Sequence, residues 1–311
     1  MTADSGAAGS GAPATAGVIH DLGYRHYDGP RLGRAAIIRA LCWHSLRSAY
    51  GIGRGAKAKI VPILTFAIMC LPAVVNAVSA ARGGGRLFPY DTYVFRLRAL
   101  VLVIFVAAQA PELVTRDLRS HVLPLYLCRP MRRLDYPLAK YTAFFAACLA
   151  LVEIPLLLLY LGTIASASGG AAIWSQTRAL SPGLLIGALW AMLFAAIGLA
   201  LASLTGRRAY ATGAIAIYFF LTWTLASILI SAGQGRGGPA GASAAPLAAR
   251  LAGLISPVSV LDGVRQWLGG TSLSPVPRPG GVGALYGAMF VLLLVASLGG
   301  LAARYRKAGL S

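Results

Sequence analysis

Along this chain, long apolar runs alternate with short basic ones, and the lengths of the apolar runs predict most of the architecture. About 20 apolar residues in a helix cover the hydrocarbon core of a bilayer. Residues 60–80 lie between Lys59 and Arg82 without a charge and predict a first span. A second is predicted at 99–115, with only 13 uncharged residues between Arg98 and Glu112. It reaches a usable length if Arg96 and Arg98 snorkel outward at one end while Glu112 reaches the opposite headgroups. Further spans are predicted at 141–162, which holds Glu153, and at 183–204, 210–231 and 282–303, which hold no charge. The expected fold is an all-α integral membrane protein with six transmembrane helices, residues 60–303 forming its membrane domain.

The polar segments between these runs carry patterns of their own. Residues 1–17 are almost all Ala, Gly, Ser and Thr and read as a disordered tail without a signal-peptide pattern. Residues 18–59 form a segment in which 34–50 places Ile38, Leu41, Cys42, Leu46 and Ala49 toward one side of a helix. Arg39, His44 and Arg47 fall elsewhere, and Trp43 and Tyr50 suit a headgroup belt. An amphipathic helix on the membrane surface is expected. The loop at 232–281 opens with a Gly-rich stretch, then turns apolar at 251–268 with interruptions at Pro257, Asp262 and Arg265. It is too short and too polar to span, so short helices at the outer interface before the last span are predicted. Residues 304–311 form a short tail.

Composition narrows the class. Hydrophobic residues make up 57% of the 311 and charged residues 12%, with mean hydropathy +0.70. That is half the charge a soluble surface carries, and far too apolar for disorder. The net charge of +19 comes from 28 Lys and Arg against nine acids, and it reads as membrane topology and not as nucleic-acid binding. With the N-terminal segment inside, 19 basic residues fall on the inner side and nine on the outer, so both termini are expected in the cytoplasm. Arg82, Arg86, Arg96 and Arg98 in the first outer loop run against that bias. Twenty-four of the 28 basic residues are Arg, a hint of a GC-rich bacterial genome and nothing more. Cys42 and Cys128 fall in inner segments and Cys70 and Cys148 in spans, so no exported disulfide is expected.

Signs of catalysis are weak. Residues 51–59 read GIGRGAKAK, but a Walker loop would need Gly where Ala56 stands and a hydroxyl where Ala58 stands. The chain is expected to hydrolyse no nucleotide and to bind no cofactor itself. His20, His26, His44 and His121 show no metal-ligand spacing, and no nucleophile elbow occurs. Glu153, followed by Pro155, is the only charged residue deep in a predicted span; it either bonds a neighbouring helix or lines a substrate path. Gly183, Gly187, Ala191 and Ala195, and again Gly283 and Gly287, let helices approach closely, within one subunit or between two.

Residues 111–140, PELVTRDLRSHVLPLYLCRPMRRLDYPLAK, hold six basic residues, three acids and a Pro-broken apolar pattern. A merely solvated connection would not need Val122, Leu123, Leu125, Tyr126 and Leu127. With six spans and both ends inside, this loop resembles the permease subunits of type 2 ABC transporters, mostly exporters. There an acid at the inner end of span two leads into a short coupling helix, a Leu-rich turn, a Pro followed by Arg, and a Lys opening span three. The matching residues are Glu112, then 116–123, Leu125 and Leu127, Pro130 with Arg132 and Arg133, and Lys140. Where family members often carry a Gly after the acid, this chain has Arg119 and Ser120. GYRHYDGPRLGR at 23–34 is similar to the opening of a bacterial branch of these permeases, and SPVSVLDG at 256–263 to their last outer element.

The resemblance implies a non-catalytic permease working as a homodimer or with a related permease. Two copies of a separate ABC subunit would bind ATP and magnesium. It implies that Glu112, Arg116, Asp117, Leu118, Arg119, Val122, Leu123, Pro130 and Arg133 couple to that subunit. Glu153, Asn76, Gln109 and Tyr218 are the isolated polar points of the spans and the candidate lining of a substrate path. Hydrophobic drugs, lipids and natural products all suit such a path. The competing readings are an integral-membrane enzyme acting on lipid or isoprenoid substrates, which the scattering of single acids argues against, and a membrane scaffold without transport.

Overall fold

A computed structural model describes residue 29 and residues 33–82, 90–119, 131–165, 169–234, 247–270, 276–277 and 279–308. Regular structure among them is helical throughout, with no strand. In chain order the helices are α1 (Arg34–Ala49), α2 (Ala56–Ala81), α3 (Tyr90–Arg119), α4 (Asp135–Ala165) and α5 (Gly170–Leu204). There follow α6 (Arg208–Gln234), α7 (Leu247–Ala252), α8 (Pro257–Trp267) and α9 (Gly283–Ala308). Single 3-10 turns occupy Gly253–Ile255 and Gly280–Val282. Six helices, α2 to α6 and α9, are long and apolar enough to cross a membrane. The chain thus has the build of a multi-pass membrane protein.

The six long helices alternate in direction. The start of α2, the end of α3, the start of α4, the end of α5, the start of α6 and the end of α9 all meet at one end. Arg54 and Arg208 both reach Glu112 there, Tyr136 packs on Tyr305, and Arg304 donates to the Ser203 carbonyl. The centre belongs to α3 and α5, with 72% and 61% of their most apolar windows buried, against 28%, 22% and 17% for α2, α6 and α9. An apolar helix left that open in a single chain faces lipid or another protein. Aromatic rings fill the centre: Trp190 lies 5.2 Å from Phe194, which stacks 4.5 Å from Phe219.

Small residues set the close helix contacts, and they do so inside this chain. A Cβ added at Gly198 of α5 would lie 2.2 Å from Val106 of α3. One at Gly187 would lie 1.8 Å from Glu153 Oε1 of α4, and one at Gly183 would lie 3.3 Å from Leu156. Gly283 of α9 meets the Trp267 ring of α8 in the same way, at 2.3 Å. These glycines let α3, α4 and α5 touch along their backbones, where a side chain would hold them apart.

Three details depart from the expectations of the sequence. The fourth long helix begins at Gly170, 13 residues before 183, and continues through Pro182. At about 1.5 Å per residue its 35 residues exceed the hydrocarbon thickness. Its first turns, with Trp174 70% exposed, therefore need no apolar sequence. Tyr160 and Thr177 join α4 to this extension at 2.6 Å. Second, Arg98 does not snorkel outward: it is fully buried in the bundle. Third, α3 runs unbroken to Arg119, so the first residues of the expected coupling helix are the last turn of a long one.

The segment before the last helix folds onto the bundle. Pro257 opens α8, its missing N–H costing nothing at a helix start. Asp262 and Arg265 of α8 are buried and joined at 2.9 Å, with Gln266 donating to Asp262 at 2.8 Å. Tyr286 of α9 packs under Gly253 and Gly263.

Candidate functional site at the charged end of the bundle

The segment singled out by sequence, 111–140, is described at both ends and not between 120 and 130. Its ends converge where the helix termini meet, and each of its three acids is ion-paired to a basic residue of this chain. Glu112, its side chain 8% exposed, pairs through one oxygen with Arg54 and through the other with Arg208. Asp117 accepts from Lys140 Nζ at 2.7 Å and from the Tyr136 hydroxyl. Asp135 accepts from Arg34 at 2.5 and 2.6 Å in a two-pronged pair and from the Arg132 backbone N–H at 2.8 Å.

Local sequence explains how these partners arrive. Arg54 sits in the GIGRG turn between α1 and α2, where Gly51 and Gly53 adopt φ of 70° and 86°, a region open to glycine. A Cβ at Gly51 would also lie 2.8 Å from the Ala58 carbonyl. The glycines of this apparent phosphate loop serve a tight reversal that delivers Arg54 to Glu112. Arg208 is the first residue of α6, and Arg207 beside it lies 5.9 Å from the Tyr210 ring. Asp135 is the first residue of α4, where a carboxylate is favoured by the helix dipole. Lys140 stands one turn on, 5.6 Å from the Tyr136 ring centre and 6% exposed.

Helix α1 completes the end. Leu41, Ser45 and Ala49 are buried, with Ile38 and Leu46 packed against the core, close to the apolar side predicted from sequence. Its contacts advance together with those of α4: Arg34 on Asp135, Cys42 on Ala139 and Thr142, Tyr50 on Ala147. Tyr50, expected in a headgroup belt, instead donates to the Ala147 carbonyl at 2.7 Å and rests its ring 5.9 Å from Phe105. Burial pushes its phenol pKa above the ordinary value.

The expected coupling residues thus divide. Glu112 and Asp117 are engaged within the chain, Arg116, Arg119 and Arg133 are exposed, and the side chain of Leu118 and residues Val122, Leu123 and Pro130 lie outside the described residues. The expected path residues stand on four different helices, α2, α3, α4 and α6. Glu153 lies on α4 over Gly187, its carboxylate oxygens buried and without a hydrogen-bond partner among the described residues. Arg98 of α3 stands near enough for its charge to act on it. Gln109, buried, is eleven residues from Arg98 along α3, about 16 Å at 1.5 Å per residue. Asn76 is buried on α2, and Tyr218 packs edge-on against Phe219 at 5.5 Å on α6.

Sequence reading missed Arg34, Arg54, Tyr136 and Arg208 as partners of the three acids, and Arg98 as the neighbour of Glu153. Only tertiary contact joins positions so far apart in the chain. Among the described residues no group of three or more His, Cys, Asp or Glu is placed to hold a metal. No protein-family model matches the chain, and no curated protein matches it.

What the arrangement can do is mechanical. Asp117–Lys140 and Asp117–Tyr136 staple the end of α3 to the start of α4, the two helices that bracket 120–130. Glu112 extends that staple to α2 and α6, and Asp135 to α1. Asp117–Lys140 and Arg54–Glu112, the less exposed of these pairs, resist separation because breaking one leaves a charge stranded away from water.

Proposed function

We propose that this chain is the permease subunit of an ATP-driven exporter of the type 2 ABC class, set in a bacterial inner membrane with its charged end in the cytoplasm. Two permease copies enclose the substrate path, and two copies of a separate subunit bind ATP and magnesium. One observation carries the reading: the segment resembling the coupling element is bracketed by helix ends whose acids are all ion-paired to α1, α2, α4 and α6. An ATPase pressing on that segment moves α3 and α4 together, and α3 lies at the centre of the bundle. The 19 to nine excess of basic residues supports a cytoplasmic charged end. Exposed Arg116, Arg119 and Arg133 suit the rim of a contact, while Leu118, Val122 and Leu123 supply its apolar part. Glu153 is a polar point of the path, lying over Gly187 on the neighbouring helix.

The test is purification of the tagged chain from its native membrane in mild detergent, with mass spectrometry of whatever accompanies it. A Walker-containing ATPase in equimolar amount is expected, and Leu123→Asp should release it while the permease still elutes as a single folded species. Recovery of the wild-type chain without any such ATPase, under conditions that keep a known transporter complex intact, overturns the reading.

A further inference from the structure

Helix α1 is packed on one face and open on the other, and the division of residues between the faces is unusual. Ser45 is fully buried while Trp43 is 61% exposed. Trp43 shares its open stripe with Arg39 and Arg47, four residues to either side and therefore one turn away. No acid occurs between 34 and 59. Arg34 and Arg54 are occupied by Asp135 and Glu112, whereas Arg39 and Arg47 have no ion-pair partner among the described residues.

The depth of α1 follows from its neighbour. It accompanies α4 from Asp135 to Ala147. Helix α4 has 31 residues, about ten more than a hydrocarbon core requires. Its start carries the charged Asp135 and Lys140, which places the first third of α4, and α1 beside it, where the bundle passes from headgroups into hydrocarbon. An indole flanked by two guanidinium groups suits that level: the ring prefers the interface, and each guanidinium forks onto a phosphate.

We infer that Arg39, Trp43 and Arg47 form a binding stripe for anionic phospholipid headgroups on the open face of α1, at the charged end of the bundle. Charge complementarity selects the occupant: two guanidinium groups with no acid nearby favour a lipid of net negative charge over a zwitterionic one. The inference rests on the membrane-spanning helices and not on the presence of an ATPase.

The full-length protein is reconstituted in phosphatidylcholine vesicles containing a graded fraction of phosphatidylglycerol, with brominated acyl chains on one lipid or the other. The quenching of Trp43 is read as wild type minus Trp43→Phe. Brominated phosphatidylglycerol should quench at a lower mole fraction than brominated phosphatidylcholine. Arg39→Gln/Arg47→Gln should reduce that preference about tenfold or more, with melting temperature unchanged because both side chains are exposed, and Arg39→Lys/Arg47→Lys should keep most of it. Inorganic phosphate should not compete; competition by it would assign the stripe to a free anion. Equal quenching by the two lipids, an unchanged preference in the double Gln variant, or no quenching of Trp43 by either lipid overturns the proposal.

Discussion

The charged end of the bundle and its middle treat acidic residues in opposite ways. At the end, Glu112, Asp117 and Asp135 each meet at least one cation of this chain, and Glu112 meets two. In the middle, Glu153 has Gly187 beneath it, Arg98 near it, and no hydrogen-bond donor among the described residues. The first three acids are committed to holding helix ends together. Glu153 makes no such pair, so its burial costs stability where theirs adds to it.

The largest effect that sharpens this contrast is expected at Asp117. Asp117→Asn leaves Lys140, 6% exposed, without its carboxylate, and should destabilise the protein by about 3–5 kcal/mol, read as a fall in melting temperature in detergent. Asp117→Asn/Lys140→Gln should recover most of that loss, since the stranded charge is gone. If the single variant melts like wild type, the pair is not a staple.

Next comes Gly187→Ala. The new Cβ would lie 1.8 Å from Glu153 Oε1, so overpacking should cost about 1–3 kcal/mol. Glu153→Ala in the same chain should relieve most of it, Val152 Cγ1 at 3.1 Å limiting the rescue. Failure of that rescue would place Glu153 elsewhere than over Gly187.

Glu153→Gln keeps shape and removes charge. A smaller stability change than for Asp117→Asn is expected and, on the proposed permease reading, a loss of substrate-stimulated ATPase activity in the complex with the ATPase. Unchanged activity would make Glu153 a packing residue, and a stability loss as large as that at Asp117 would erase the contrast between the two regions.

The smallest effect is expected at Arg208. Its side chain is 65% exposed against 22% for Arg54 on the same carboxylate, so solvent screens the pair and Arg208→Ala should cost only about 0.2–1 kcal/mol. Arg54→Ala should cost more, and equal losses in the two variants would show that exposure does not rank these pairs.

What the sequence determined by itself is the membrane build. Uninterrupted apolar runs such as 210–231 and 282–303 leave a helix as the one way to satisfy the backbone in lipid, and those helices are present. The apolar side of α1 was legible for the same reason, because periodicity is a local property. Contacts between distant residues were not. Arg98 reads as a snorkelling end residue until α3 is packed at the centre and encloses it. GIGRG reads as a failed phosphate loop until the positive φ of Gly51 and Gly53 turns Arg54 toward Glu112. Likewise Gly183 and Gly187 announce close approach without naming the neighbour, and tertiary structure supplies α4. Hydrophobic length and period are written residue by residue, whereas an ion pair between positions 54, 112 and 208 exists only once three helix ends are brought together.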